Sequence, residues 1–406
     1  MTQVAAIGTY RPPWIAGGRR VRGPDEDAVT MAVAAGRAAL AGTLARRVVL
    51  VSRNFPLIEG GNGAVLLAGL GLSGDTTITE VLGGAPAVLD QIVAATPGTL
   101  VIAADDDDRY AGAAALLTGD AGPALDPVGR VTRSLPMTAR ADDGSRHDYA
   151  DPRLQREVGV RASFASLGVP AGAAVAVVAG AKPVVLGVEP NTSSASADST
   201  TAGSVLIALI ADALDAGTTG LVVAVENATI SVAELTAAGA PVRVARDEVE
   251  ARDLPRAKIA EGTGIPISLP AYARAFEPKI RWEAAVFDER PGVDGNPQFP
   301  PRRRVDESGT LAAQYRLEPL PRTGTVYTHT TVRIPVPDLP GPYSLAVVAL
   351  DNSPVRVLLK VTGIPAGEVT IGQPGAVVLR KVATRAGVPD YGYMFWPGRP
   401  AEEVLA

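Results

Sequence analysis

The sequence predicts a layered α/β domain followed by a small all-β barrel. From residue 4 to about 240, apolar strand-like runs alternate with helical segments, the pattern of an α/β layer fold. Two stretches, GTLVIAADDDD (98–108) and GTTGLVVAVENAT (217–229), each run from Gly/Thr through an apolar core into acidic or amide residues. They mark two duplicated βαβ halves. After Ala240, proline and arginine rise, and β-branched runs are separated by Pro, Gly and Asn turns, as in a small barrel.

In chain order, Val4–Tyr10 is an apolar first strand. Asp25, Glu26 and Asp27 precede a helix from Thr30 that Gly42 closes; acids suit the positive end of a helix. Arg47–Ser52 is almost continuously apolar, as a strand covered on both faces must be. Gly63–Leu72 reads as a small-residue helix. The stretch Asp75–Ala95 then combines a β-branched strand (Thr76–Val81), a Gly83–Gly84 turn and an apolar helix. Thr99–Ala104 is a buried strand ending in Asp105–Asp108, and Ala111–Leu117 a further strand or short helix.

Residues 120–152 are polar and read as an insertion or lid, carrying Arg130, Asp142 and His147. The pattern then restarts with a helix (Arg153–Leu167), a strand (Ala173–Ala179), a Ser/Thr-rich loop (Asn191–Gly203), a helix (Ser204–Ala216) and a strand (Leu221–Val225). Residues 241–270 show mixed charge and little periodicity, as a linker would. From Tyr272 strands are expected to replace helices, with Thr325–Val336, Tyr343–Leu350, Val355–Gly363 and Glu368–Val382 as the barrel. The domains are therefore expected at 1–240 and 271–406.

Composition narrows the function. A net charge of −5 argues against nucleic acid as the main partner. With no cysteine in the chain, disulfides, thiolate catalysis and cysteine-ligated zinc are excluded. The N-terminus lacks a charged leader followed by an apolar run, and Val169–Val188, the longest apolar stretch, is broken by Pro170, Gly172, Lys182 and Pro183. A cytoplasmic location is expected.

The first 240 residues resemble the thiolase superfamily, in particular its hydroxymethylglutaryl-CoA synthase branch. The matching pieces are DEDAVTMAVAAGRAAL, LVSRNFP, TEVLGGAPAV, LVIAADDDD, DSTTAGSVLIALIADAL and LVVAVENA. The C-terminal part resembles an acyl-CoA-associated OB-fold family that usually begins with a zinc ribbon, through FPPR (Phe299–Arg302), GTVYTHTTV, GPYSLAVVALD and YGYMFWP. The resemblance places the synthase's acid/base glutamate on Arg53 and its nucleophilic cysteine on Val81, with Leu82 one register away. It places the catalytic histidine near Val178 or Ala179, and the asparagine near Ser199 or Thr200. Claisen chemistry needs a thiolate and a proton carrier, which Val, Arg and Ala do not supply. The ribbon's paired cysteines fall on Pro291/Asp294 and Val305/Ser308, so no zinc is expected.

Other residues read more plainly. Asp105–Asp108 reads as a solvated acidic loop rather than a cation site, His147 as a surface residue and His329 as a half-buried barrel residue. No Gly-x-Ser-x-Gly elbow surrounds Ser193–Ser199, which reads as a loop. Arg302, Arg303 and Arg304 are either a solvated turn or a dock for CoA phosphates. The resemblance implies a non-catalytic subunit that assembles with an active thiolase-like acyltransferase, condensing enzyme or retro-aldolase and helps hold acyl-CoA. Two alternatives stay open. One is an enzyme of altered mechanism using His147, Arg53 or Asp105; the other is a stand-alone acyl-CoA or acyl-carrier binding module.

Overall fold

The computed structural model describes residues 1–400 apart from 59, 108–109, 133–137, 142, 144, 149–150, 152, 154–156, 171, 189–194, 198–202, 228, 238, 263–268, 335–336, 338 and 386. The first half runs β1 (Thr2–Arg11), a hairpin of β2 (Trp14–Ala16) and β3 (Arg19–Val21), α1 (Ala28–Leu40), β4 (Arg47–Ser52), α2 (Asn62–Leu70), β5 (Thr77–Leu82), α3 (Ala85–Val93), β6 (Thr99–Asp106) and β7 (Ala111–Gly119). The second runs β8 (Ala124–Val131), β9 (Thr138–Arg140), β10 (Arg146–Asp148), α4 (Val160–Ala165), β11 (Val175–Ala179), α5 (Pro183–Leu186), β12 (Ala195–Ala197), α6 (Gly203–Asp215), β13 (Gly220–Glu226) and β14 (Thr229–Thr236).

The halves repeat one topology. The main sheet has the order β12-β11-β13-β14-β8-β1-β7-β6-β4-β5, which reads alike outward from its centre. In the first half β4 lies parallel to β5 and β6, while β7 is antiparallel to β6 and β1. In the second, β11 lies parallel to β12 and β13, while β14 is antiparallel to β13 and β8. This is the duplicated, layered thiolase-like arrangement. The central layer is α3 and α6: Val88, Leu89 and Ile92 share a buried cluster with Leu206, Ile207 and Ile210, and with Val49, Val101 and Val222 from the strands. The other faces are covered by α1 and α2 in one half and by α4 and α5 in the other. Covering on both faces explains why β4 and β6 read as unbroken apolar runs.

Of the two readings left open for Ala111–Leu117, the strand holds, with Ala113–Leu117 buried between β1 and β6. Three expectations need correction. The polar insertion starts later than expected, because Ala124 and Leu125 are buried and begin β8. The expected linker contributes β15 (Arg243–Glu248), parallel to β1 from Ala6 to Arg11, and then β16 (Arg252–Asp253), which pairs with the β2–β3 hairpin. A helix, α7 (Leu269–Arg281), occupies the stretch where strands were expected.

Beyond α7, β17 (Glu283–Phe287), β18 (Arg304–Val305), β19 (Leu311–Ala312) and β20 (Tyr315–Pro319) form two small antiparallel pairs, β17–β20 and β18–β19. The closed barrel follows: β21 (Thr323–Val332), β22 (Tyr343–Leu350), β23 (Arg356–Val361), β24 (Pro374–Arg385) and β25 (Val388–Pro397), in the order β21-β22-β23-β25-β24. On β22, burial alternates residue by residue, as a barrel wall requires.

The barrel is joined to the α/β domain by a continuous core and by buried charge. At Gly69 of α2 an added Cβ would lie 2.6 Å from Val33 of α1 and 2.9 Å from Leu379 of β24, so a side chain there would push against both the α1 helix and the barrel. Arg322 donates to the Gly69 carbonyl at 2.8 Å and lies 5.0 Å from the Tyr393 ring centre. Trp282, fully buried, packs edge-on against Phe299 and at a tilt against Tyr393, and donates its indole N–H to the Pro321 carbonyl at 2.9 Å. Beside this apolar contact, Arg380 of β24 lies 3.4 Å from Glu26 and 3.8 Å from Asp25, and donates to the Tyr10 hydroxyl at 3.0 Å. The Tyr391 hydroxyl donates at 2.7 Å to Asp27, the residue whose other carboxylate oxygen caps α1. The acids that the sequence assigns to a helix start thus also hold the barrel.

Candidate functional site

The positions matched to catalytic residues lie at the C-terminal ends of the central strands. Val81, near the end of β5, pairs with Val51 of β4, two residues before Arg53. Its side chain is half-buried against the central-layer core, whereas Leu82 is 76% exposed. Ala179 ends β11, fully buried between Ala197 and Ala224. Ser199 and Thr200 lie outside the described residues. Of the described positions only Arg53 carries an ionisable group, and it pairs with Glu226 at the end of β13.

Glu226 explains the local arrangement. Its Oε2 accepts from the backbone N–H of Gly84, the N-cap of α3, at 2.9 Å. A helix start carries unpaired N–H groups and a partial positive charge, so it favours an anion. The resemblance places a nucleophilic cysteine at this junction, and a helix start would favour its thiolate. Here the anion is an internal carboxylate already neutralised by Arg53.

The second half repeats the device in mirror order. Asp105, near the end of β6, accepts from the backbone N–H of Gly203 at 3.0 Å and of Ser204 at 2.8 Å, at the start of α6. The Ser204 hydroxyl donates to the same carboxylate. Each half therefore ends a central strand in an acid that binds the central helix of the other half. Burial pushes the Asp105 carboxyl up to about 6, with the Ser204 and Gly203 hydrogen bonds opposing it. Asp105 is consequently no part of a solvated acidic loop, as the run of aspartates had implied. Its neighbour Asp106 pairs with Arg22 at 2.8 Å and is likewise pushed by burial to about 6, while Asp108 lies outside the described residues.

The remaining candidates are dispersed. His147 is exposed, with its Nε2 3.1 Å from the Ser145 hydroxyl. His329 is half-buried on β21. Arg302 and Arg303 are exposed ahead of β18, and Arg304 pairs with Asp294 at 3.2 Å. The four ribbon positions do not form a zinc donor set, since Pro291 and Val305 offer no donor. Asp294 is held by Arg304 and by the Asn296 N–H at 3.0 Å. The turns carrying these positions are joined by the Glu307 N–H on the Pro291 carbonyl at 2.9 Å, and Asp306 accepts from the Ser308 and Thr310 N–H groups at 3.0 and 2.9 Å. A small cluster of Ala285, Phe287, Val293 and Ala312 is buried among these strands and turns.

Fold and site together define a two-module protein, a duplicated thiolase-like α/β domain carrying an OB-fold barrel. Residues 317–380 match the family model described as the C-terminal OB-fold domain of ChsH2. A search of curated proteins finds no match. Among solved structures, 3-oxoacyl-[acyl-carrier-protein] synthase III from Aquifex aeolicus is similar at 14% identity, covering 58% of this chain and 100% of that one, with a TM-score of 0.46. FabH from Pseudomonas aeruginosa is similar at 14% identity, covering 59% of this chain and 99% of that one, with a TM-score of 0.47. PksG, an HMG-CoA synthase from Bacillus subtilis, is similar at 15% identity over 58% and 80% of the chains, with a TM-score of 0.46. Likenesses this distant carry no argument about chemistry.

Two features escaped the sequence reading: the role of Glu226 and the buried charges around Arg380. A signal for the first was present. In the duplicated strand ends, Glu226 occupies the place of the Asp105–Asp106 pair.

Proposed function

We propose that this chain is a non-catalytic, acyl-CoA-related subunit that assembles with an active thiolase-like acyltransferase, condensing enzyme or retro-aldolase. The observation that carries this reading is the pairing of Glu226 with Gly84 and Arg53 at the start of α3. It occupies the helix N-terminus with a neutralised carboxylate and leaves Val81 where a nucleophile would stand. The match of residues 317–380 to the ChsH2 OB-fold model supports the acyl-CoA connection. On this reading the α/β domain supplies partner contact and the barrel helps hold the thioester. Arg302 and Arg303, exposed and ahead of the ribbon strands, meet CoA phosphates, and no zinc is bound. The test is co-expression with the thiolase-like protein encoded nearest to it, followed by light scattering and turnover assays of chain, partner and mixture. A hetero-complex with activity dependent on the partner's own nucleophile is expected. Turnover of an acyl-CoA by this chain alone overturns the reading.

A further inference from the structure

A cavity of about 410 Å³ opens where the barrel meets the β2–β3 hairpin and the 255–259 segment, far in sequence from the strand ends described above. That volume lies in the range of sites for small organic ligands. Its walls include Trp14, Tyr343, Ile364 and Met394, and its charged side chains are Asp25, Arg256, Lys360 and Lys381. Trp14 and Met394 are buried parts of the fold, so the apolar wall is built by the packing of the two modules.

Lys360 is the unusual member. It sits on β23 opposite Met394, half-buried, with its ammonium 5.1 Å from the Tyr343 ring centre. Among the described residues it makes no hydrogen bond and no ion pair. Burial lowers its pKa, and the field of Asp25 only partly opposes this. Asp25 is itself committed: its Oδ2 accepts from the Thr362 hydroxyl and lies 3.8 Å from Arg380. A half-buried ammonium without a counter-ion, on the wall of a mainly apolar cavity, calls for an anion with an apolar body.

We propose that this cavity binds an amphipathic monocarboxylate, its chain against Trp14, Tyr343 and Ile364 and its carboxylate on the Lys360 ammonium. Octyl phosphate is the competing ligand, since Arg256 and Lys381 also line the cavity and a phosphate monoester carries about −1.5 to −2 at neutral pH. The site is independent of the Glu226 arrangement, so it stands or falls apart from the subunit reading.

The test uses the full chain and calorimetric titration with octanoate, 1-octanol and octyl phosphate. Octanoate should bind, with octanol weaker by about tenfold, the worth of one charged hydrogen bond. Lys360→Met should weaken octanoate by about tenfold and leave octanol unchanged, while Lys360→Arg should restore most of the affinity. Circular dichroism of each variant checks the fold, and the comparison of octanoate with octanol on the unaltered chain needs no variant. No octanoate binding at millimolar concentration, equal binding of octanol, tighter binding of octyl phosphate, or insensitivity to Lys360→Met would each overturn the assignment.

Discussion

Glu226 and Gly84 stand 142 positions apart, and the carboxylate of one accepts the backbone N–H of the other at 2.9 Å. This bond ties the end of a second-half strand to the start of the first-half central helix. It also decides what the junction at Val81 can do, because the helix-terminal field that would stabilise a thiolate is spent on a fixed carboxylate.

A thiol placed at Val81 should therefore be ordinary. The chain has no cysteine, so Val81→Cys gives a single thiol and alkylation by iodoacetamide reads it without background. We expect its pKa at or above the unperturbed value of about 8.5. Adding Glu226→Gln should lower it by about one unit, as the opposing carboxylate is removed. A thiol already depressed in the single variant would show that Glu226 does not neutralise the helix end.

Asp105 gives a pH signature. Its folded-state pKa of about 6 lies above the ordinary aspartate value of 3.8, so the folded protein holds this proton over a range where the unfolded chain has lost it. The group's contribution to stability is fully present below the unfolded pKa and is lost as pH rises through about 6. At 1.36 kcal/mol per unit the loss is on the order of 3 kcal/mol at most. Asp105→Asn should remove this slope while losing an acceptor for Ser204, costing ~1–3 kcal/mol at pH 4 and less at pH 7. Urea unfolding at both pH values measures the difference.

How much of this was legible follows from the kind of signal each part carries. The strands β4, β6 and β13 show in the sequence because burial on both faces leaves an unbroken apolar run. β15, RVARDE, does not show, because it is half-exposed and its charged residues resemble a linker. α7 contains Pro278, which reads as a breaker even though the helix continues to Arg281. At the site, Arg53 and Val81 were found through their flanking motif, since motif spacing is local. The partnership of Arg53 with Glu226 depends on how two distant halves pack, and no local pattern encodes it. Asp105 was misread for a related reason: four consecutive aspartates look solvated, and only the packing of α6 shows that the first of them caps a helix.

The joint between the modules should depend on Arg380. It is 2% exposed and faces Glu26 at 3.4 Å. Removing one member of such a pair leaves a buried charge uncompensated, so Arg380→Met should cost about 3–5 kcal/mol. Glu26→Gln in the same background should recover part of that loss, and the non-additivity is read in a double-mutant cycle by chemical unfolding. Additive losses would mean that the two groups do not interact.

The ribbon resemblance offers a gain-of-function test. The turns at Pro291 and Glu307 are held together by the Glu307–Pro291 backbone bond and by the Arg290–Asp306 pair at 3.6 Å. Replacing Pro291, Asp294, Val305 and Ser308 with cysteine should therefore create a tetrahedral site that takes one zinc ion per chain, read by metal analysis and by cobalt substitution spectra. A variant that folds without taking up metal would contradict the ribbon resemblance.

The most direct test of the central claim is turnover by reconstituted complexes. Light scattering and acyl-CoA assays would compare this chain alone, a candidate thiolase-like partner alone, the mixture, and the mixture with that candidate's nucleophilic cysteine replaced by alanine. The subunit reading predicts a stable hetero-complex whose activity vanishes with that cysteine and is unaffected by Arg53→Ala in this chain. Turnover by this chain alone, or activity in the complex that survives loss of the partner's cysteine, would contradict it.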